Sequence, residues 1–268
     1  MYLIERKNLD LQLEIVPVES LLLHEEVIPR HANKLILEFR NWANLQNPII
    51  VDENHMVLDG HHRAFVFKKL RFNYISVCRI DYFNEAVKLR YWFRLLNRIR
   101  SRESLIRIVE AENAILHPVD NIHTLKQALE QNRLCCGIQH KGKGLEYIPC
   151  QSVQEPGFSR RLRPDQAVIW TPHISKEMVV GAVRQGKRFT PKATRHLIPA
   201  RPLNVNVPIG LFREDISLEE INTAFSEFLS EKSLRRFPPG QIINGRYYEE
   251  ELFVFFDHRD GPKERSLP

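Results

Sequence analysis

A chain of 268 residues, 43% hydrophobic and 27% charged, has the composition of a soluble globular protein and the length to bury a substantial core. Its net charge of +6 suits an anionic ligand such as a nucleotide, and the 39 basic residues are dispersed rather than gathered in one block. No apolar run reaches the length of a membrane-spanning helix, and residues 1–10 lack the apolar core of a secretory leader, so the expectation is a cytoplasmic protein.

Leu11, Leu13 and Ile15 alternate with polar residues and predict a strand over Leu11–Pro17. An apolar approach, Val18 to Leu23, leads into the polar turn His24-Glu25-Glu26. Leu35, Ile36, Phe39 and Trp42 lie at helical spacing and predict a helix from about Pro29 to Trp42. Asn47–Val51 reads as a short buried strand, Asp52–His55 as a turn and Met56–Leu58 as the next strand. Asp59-Gly60-His61-His62-Arg63 then opens a helix that carries Ala64, Phe65, Phe67 and Leu70 toward a core. Tyr74–Ile80 closes the unit as a strand. This order of strand, helix, strand pair, helix and strand is that of a small α/β module.

Val87, Tyr91 and Leu95 predict a helix over Phe83–Leu96. Ser101–Ile108 and Thr124–Gln131 read as helical, Cys136–Pro149 as a hairpin or loop, and Ser175–Gly186 as a helix stopped by Gly186. Leu203–Val207 alternates as a strand, Leu218–Leu229 is an amphipathic helix, and Glu251–Phe256 is a late strand. The polar stretch Asp257–Pro268 reads as a disordered tail. The four cysteines, Cys78, Cys135, Cys136 and Cys150, form no C-x-x-C pair, and reduced thiols are the expectation.

The stretch Asp59 to Arg63 carries the most chemistry. A glycine lets the backbone approach a ligand closely, and amides at a helix N-terminus favour anions. Arg63 is suited to a bidentate grip on phosphate oxygens and Asp59 to a divalent cation between them. An Asp-Gly pair is also the commonest hairpin signal, and Asp59 could simply cap the helix. Two histidines and an arginine at the start of an otherwise apolar helix are harder to explain by folding alone. The stretch therefore reads as a polyphosphate site.

Leu23-His24-Glu25, Pro48-Ile49-Ile50-Val51 and Leu58-Asp59-Gly60-His61-His62-Arg63 together resemble the ParB/sulfiredoxin-like superfamily. Within it the chain is most similar to the free serine kinases, which phosphorylate L-serine to O-phospho-L-serine with ATP or ADP. Trp92, the segment Thr190–His196 with its T-R-H ending, and Leu203–Pro208 extend the resemblance over roughly residues 11–256. It implies an α/β (α+β) fold. A ParB/sulfiredoxin-like nucleotide-binding module would span 1–84, a linking helix with a mixed α/β substrate-binding domain 85–256, and the tail 257–268.

The resemblance also implies roles. Glu25 becomes the catalytic base, with Glu26 beside it as the alternative. Asp59 becomes a second catalytic residue that binds Mg²⁺ or orients the substrate hydroxyl. Gly60, His61, His62 and Arg63 cradle the phosphates, with a packed helix position as the other reading of His62. Trp92 walls the pocket, and Thr194, Arg195 and His196 hold the serine carboxylate. The implied partners are L-serine, Mg²⁺ and ATP or ADP; the choice of donor and the oligomeric state stay open. The same phosphate turn also fits a ParB-like nucleotide-dependent DNA-binding or regulatory protein. Against that reading, the turn is not of the partition proteins' G-E-R-R type, and nothing after residue 85 reads as a helix-turn-helix. A sulfiredoxin-like redox enzyme would need a cysteine in the turn, which has none.

Overall fold

The computed structural model describes residues 1–41, 43–90, 94–96, 101, 103, 106–107, 123–124, 127, 137–140, 167–170, 174–243 and 245–257. Contacts divide the chain into two units. The first comprises Met1–Lys88, Val179–Pro191 and His196–Pro268, and the second Leu89–Met178 and Lys192–Arg195.

The first unit begins with strands β1 (Tyr2–Ile4), β2 (Leu11–Pro17) and β3 (Leu22–Leu23), followed by helix α1 (Pro29–Asn41). Then come β4 (Asn44–Leu45), β5 (Ile49–Val51), β6 (Met56–Asp59), helix α2 (His61–Lys69) and β7 (Tyr74–Arg79). Six of these strands form one mixed sheet in the order β1-β2-β7-β5-β6-β3. The alternation in β2 does what it predicts: Leu11, Leu13 and Ile15 are buried, while the residues between them are half-buried. The tight link between β5 and β6 is held by Asp52, whose carboxylate accepts from the amides of Asn54 and Met56 at 2.9 and 2.7 Å. Phe67 of α2 stacks on Phe72 with ring centroids 4.5 Å apart. It meets Phe39 of α1 edge-on at 5.2 Å and Phe212 at 5.5 Å. This aromatic knot fixes α2, and with it the turn that opens α2.

The stretch expected to be a helix over Phe83–Leu96 is not one where it is described. Asp81 accepts from the amides of Phe83 and Asn84, and Asn84 in turn accepts from Ala86. These side chains offer the backbone turn bonds that compete with a helix. Strands β8 (Lys88–Arg90) and β9 (Arg94–Leu96) follow. In the second unit β9, β10 (Gly137–His140) and β11 (Ala167–Trp170) form an antiparallel sheet with β11 in the middle. Within the expected helices at 101–108 and 124–131 the described residues 103, 106–107, 124 and 127 are helical. Much of both, most of the loop at 136–149, Trp92, Cys135, Cys136, Cys150 and the tail beyond residue 257 lie outside the described residues.

Helix α3 (Lys176–Arg184) ends where expected, with Gly186 at φ 68° and the Lys187 amide bonded back to the Ala182 carbonyl. Beyond it lie β12 (Arg195–Leu197), β13 (Ala200–Leu203) and β14 (Val207–Pro208). The single strand expected over Leu203–Val207 is interrupted. Asn204 and Asn206 both take left-handed φ, 56° and 55°, which asparagine tolerates better than other side chains. Helix α4 (Leu218–Ser230) opens with a capping box between Ser217 and Glu220. It is tied to β2 by Asn222, which bonds both the amide and the carbonyl of Ile15. Strands β15 (Lys232–Phe237), β16 (Gln241–Ile243), β17 (Arg246–Tyr248) and β18 (Glu251–Asp257) complete the unit. β18 is the central strand of a second sheet, parallel to β13 and antiparallel to β15. The fold is thus mixed α/β. Among the described residues no helix is long and apolar enough to cross a membrane.

Candidate active site

β6 delivers Asp59 to the sheet's end, and Gly60 turns the chain into α2 with φ 104° and ψ 22°. No side chain caps this helix. Its first-turn amides have no carbonyl within the helix to pair with, so they form a natural seat for an anion.

Arg63 is committed to the turn itself. Its Nη1 donates to the carbonyls of Asn47 and Pro48, the latter at 3.2 Å, and its Nη2 lies 3.7 Å from Asp59 Oδ2. His62 also faces protein: its Nε2 accepts the Ile28 amide at 3.0 Å, pinning the segment that enters α1. The same Oδ2 of Asp59 accepts from Arg201 Nη1 at 2.7 Å, and Arg201 Nε donates to Glu250 at 2.5 Å. Partial burial disfavours the Asp59 charge, but Arg201 and then Arg63 outweigh it and hold the carboxyl well below the usual range. Arg201 is likewise held above its ordinary value, because Asp59 and Glu250 more than offset its burial. Asp59 is therefore a fixed anion with Oδ2 fully engaged. Its Oδ1 makes no bond among the described residues.

A second cluster lies beside this turn. His24 is fully buried at the end of β3, and its Nδ1 is 3.1 Å from Nε2 of His61, the first residue of α2. The two rings meet edge-to-face at 4.3 Å, and His196 packs edge-on against His24 at 5.1 Å. Tyr82 closes the row, its hydroxyl 2.9 Å from His196 Nε2. Burial pushes His24 down to about 4, partly countered by a hydrogen bond to the Val57 backbone. Burial also lowers His61, and its neighbours His24 and His196 act in the same direction. Both rings are neutral near pH 7.

Glu25 follows His24 and is 9% exposed. Its backbone is clamped on both sides: the Phe189 amide donates to the His24 carbonyl at 2.8 Å, and the Glu26 amide to the Phe189 carbonyl at 2.9 Å. Glu25 is thus a buried carboxylate on a fixed backbone, one residue from a ring that touches the turn. Thr194 and Arg195 belong to the second unit, whereas His196 belongs to the first. Among the described residues no three His, Cys, Asp or Glu side chains gather closely enough to hold a metal by themselves.

Reading the sequence for a site misses Arg201, Glu250 and Tyr82 and leaves His24 without a role. His24 had a signal, since it lies inside Leu23-His24-Glu25. The other three have none, because each acts through a partner distant in the chain.

No protein-family model matches the chain. A ParB-like protein of Sulfolobus acidocaldarius is 31% identical over 201 residues, 69% of this chain and 90% of its own. An ATP-dependent L-serine kinase of Staphylothermus marinus is 25% identical over 227 residues, 73% of this chain and 89% of its own. Among solved structures, a mutant free serine kinase in complex with ADP is similar with a TM-score of 0.63 at 16% identity. The match covers 75% of this chain and 93% of that one and shows a common fold.

Proposed function

Because the chain belongs to the ParB-like family, which includes the free L-serine kinases, we propose that it transfers a phosphoryl group from ATP or ADP to the hydroxyl of L-serine, giving O-phospho-L-serine. The observation that supports this reading is the contact of His24 with His61 at the start of α2, which brings the segment carrying the buried Glu25 to the D-G-H-H-R turn.

Phosphoryl transfer asks the protein to align donor and acceptor, offset phosphate charge and accept one proton. In this reading Gly60 and the first-turn amides of His61, His62 and Arg63 receive the phosphates. The Arg63 charge lies beneath the turn and shapes it from below. Glu25 takes the proton of the serine hydroxyl as its oxygen attacks phosphorus. His196 holds the amino acid by its carboxylate.

The residues fit a nucleotide-borne Mg²⁺, which typically takes only one or two protein carboxylates besides phosphate oxygens. Asp59 would hold it through Oδ1, since Oδ2 is occupied by Arg201. Bound there, Mg²⁺ supplies positive charge to the phosphate oxygens. We assign the protein to the cytoplasm, where serine and adenine nucleotides meet.

The test is direct. Purified protein with L-serine, Mg²⁺ and either ATP or ADP should form phosphoserine, and the comparison identifies the donor. No phosphoserine with either nucleotide, together with nucleotide hydrolysis that responds to DNA and not to serine, would replace the kinase by a ParB-like DNA-binding protein.

A further inference from the structure

The acceptor side of this site contains a residue that no motif announces. Tyr82 follows β7, is 2% exposed and ranks among the largest fully enclosed side chains. Its ring sits 5.3 Å from the ring of His196, and its hydroxyl reaches Nε2 of that imidazole at 2.9 Å. A phenol carries a readily donated proton, and a neutral imidazole has one nitrogen to accept it. With Nε2 accepting, the ring proton of His196 stays on Nδ1. Which nitrogen of a histidine carries its proton is set by the bond the other nitrogen makes.

We propose that Tyr82 is a positioning residue: through its hydroxyl it fixes His196 as the Nδ1–H tautomer and sets the angle of the ring, so that the imidazole meets the serine carboxylate as a donor. This rests on the kinase reading above. His24 also packs edge-on against His196 at 5.1 Å, so the ring touches both a buried phenol and a buried imidazole. A ring held this way keeps its proton on one nitrogen. A ring that exchanges tautomers keeps it there only part of the time.

Tyr82→Phe removes the hydroxyl and keeps the buried ring, so packing is preserved. The expected result is a rise of about tenfold in KM for L-serine, the size of one lost directing hydrogen bond, with KM for the nucleotide within about twofold of wild type. Long-range ¹H–¹⁵N spectra of the His196 imidazole should show the Nδ1–H tautomer in wild type and a mixture in Tyr82→Phe. An unchanged KM for serine, or a wild-type His196 protonated at Nε2, overturns the proposal. If wild type forms no phosphoserine, the kinase reading falls instead. The imidazole spectra then decide by themselves whether Tyr82 sets the tautomer of His196.

Discussion

Replacing Gly60 with alanine challenges the Asp59–Arg63 turn at its tightest point. An L-residue at φ 104° pays about 1–2 kcal/mol for the left-handed backbone alone. The new Cβ would lie 2.6 Å from Ile49 Cγ2, 3.0 Å from Ile49 Cβ and 3.0 Å from Arg63 Nη2. Ile49 cannot retreat, because it is fully buried in β5, a strand paired on both sides by β6 and β7. Arg63 is tied to the carbonyls of Asn47 and Pro48. Overpacking of this kind costs about 1–3 kcal/mol, so the total is roughly 2–5 kcal/mol. For a chain of this size that corresponds to a fall in Tm of roughly 5–15 °C. Thermal unfolding of Gly60→Ala followed by circular dichroism reads the shift, and titration with ADP reads the damage to the anion seat. A Tm within about 2 °C of wild type together with unchanged ADP affinity would refute the account of the turn.

Glu25→Gln should bind nucleotide like wild type and lose turnover by about a hundredfold or more, the range for a general base; undiminished phosphoserine formation would remove Glu25 from the mechanism. His24 makes stability depend on pH. The unfolded chain takes up its proton near the ordinary value of about 6.5, the native chain only near 4, so stability is intact above about pH 6.5 and falls as the pH drops toward 4. The loss from this one group is roughly 3 kcal/mol, and His61 adds to it. Urea midpoints should decline between about pH 7 and 5 and decline less in His24→Gln; equal slopes in the two proteins would count against His24 as the cause. Arg201→Met should destabilise by roughly 2–4 kcal/mol, below the usual figure for a broken buried pair because the Asp59 side chain is 41% accessible. Adding Glu250→Gln should restore part of that stability, and an additive double variant would show that the two residues are not coupled.

Periodicity made much of the first unit legible. The alternation in β2, the apolar spacing of α1 and the amphipathic α4 each specify their element through one buried face. It failed where short polar side chains redirect the backbone. Val87 has the spacing of a helix, but Asp81 and Asn84 bind the amides that the helix would need. Leu203 to Val207 alternates as a strand should, but Asn204 and Asn206 bend it into two pieces that pair with different partners, β18 and β4. The turn at Gly60 was readable for the same local reason that its neighbours were. What Asp59 and His196 touch was not. Arg201 and Tyr82 reach them from 142 and 114 residues away, and no local pattern encodes such pairs.

The pairing of Asp59 with Arg201 also orders events in time. A ribosome that has released residues 1–90 has already exposed the whole D-G-H-H-R segment, but the arginine that fixes its aspartate is more than a hundred residues from being made. Arg201 is in turn held by Glu250, and its strand β13 needs β18, the last described strand, as its neighbour. Contacts of such separation close slowly, because the intervening chain must first be drawn together. The D-G-H-H-R turn is therefore among the earliest parts of the chain to be synthesised and among the last to be set. An incomplete chain would carry the motif without the geometry.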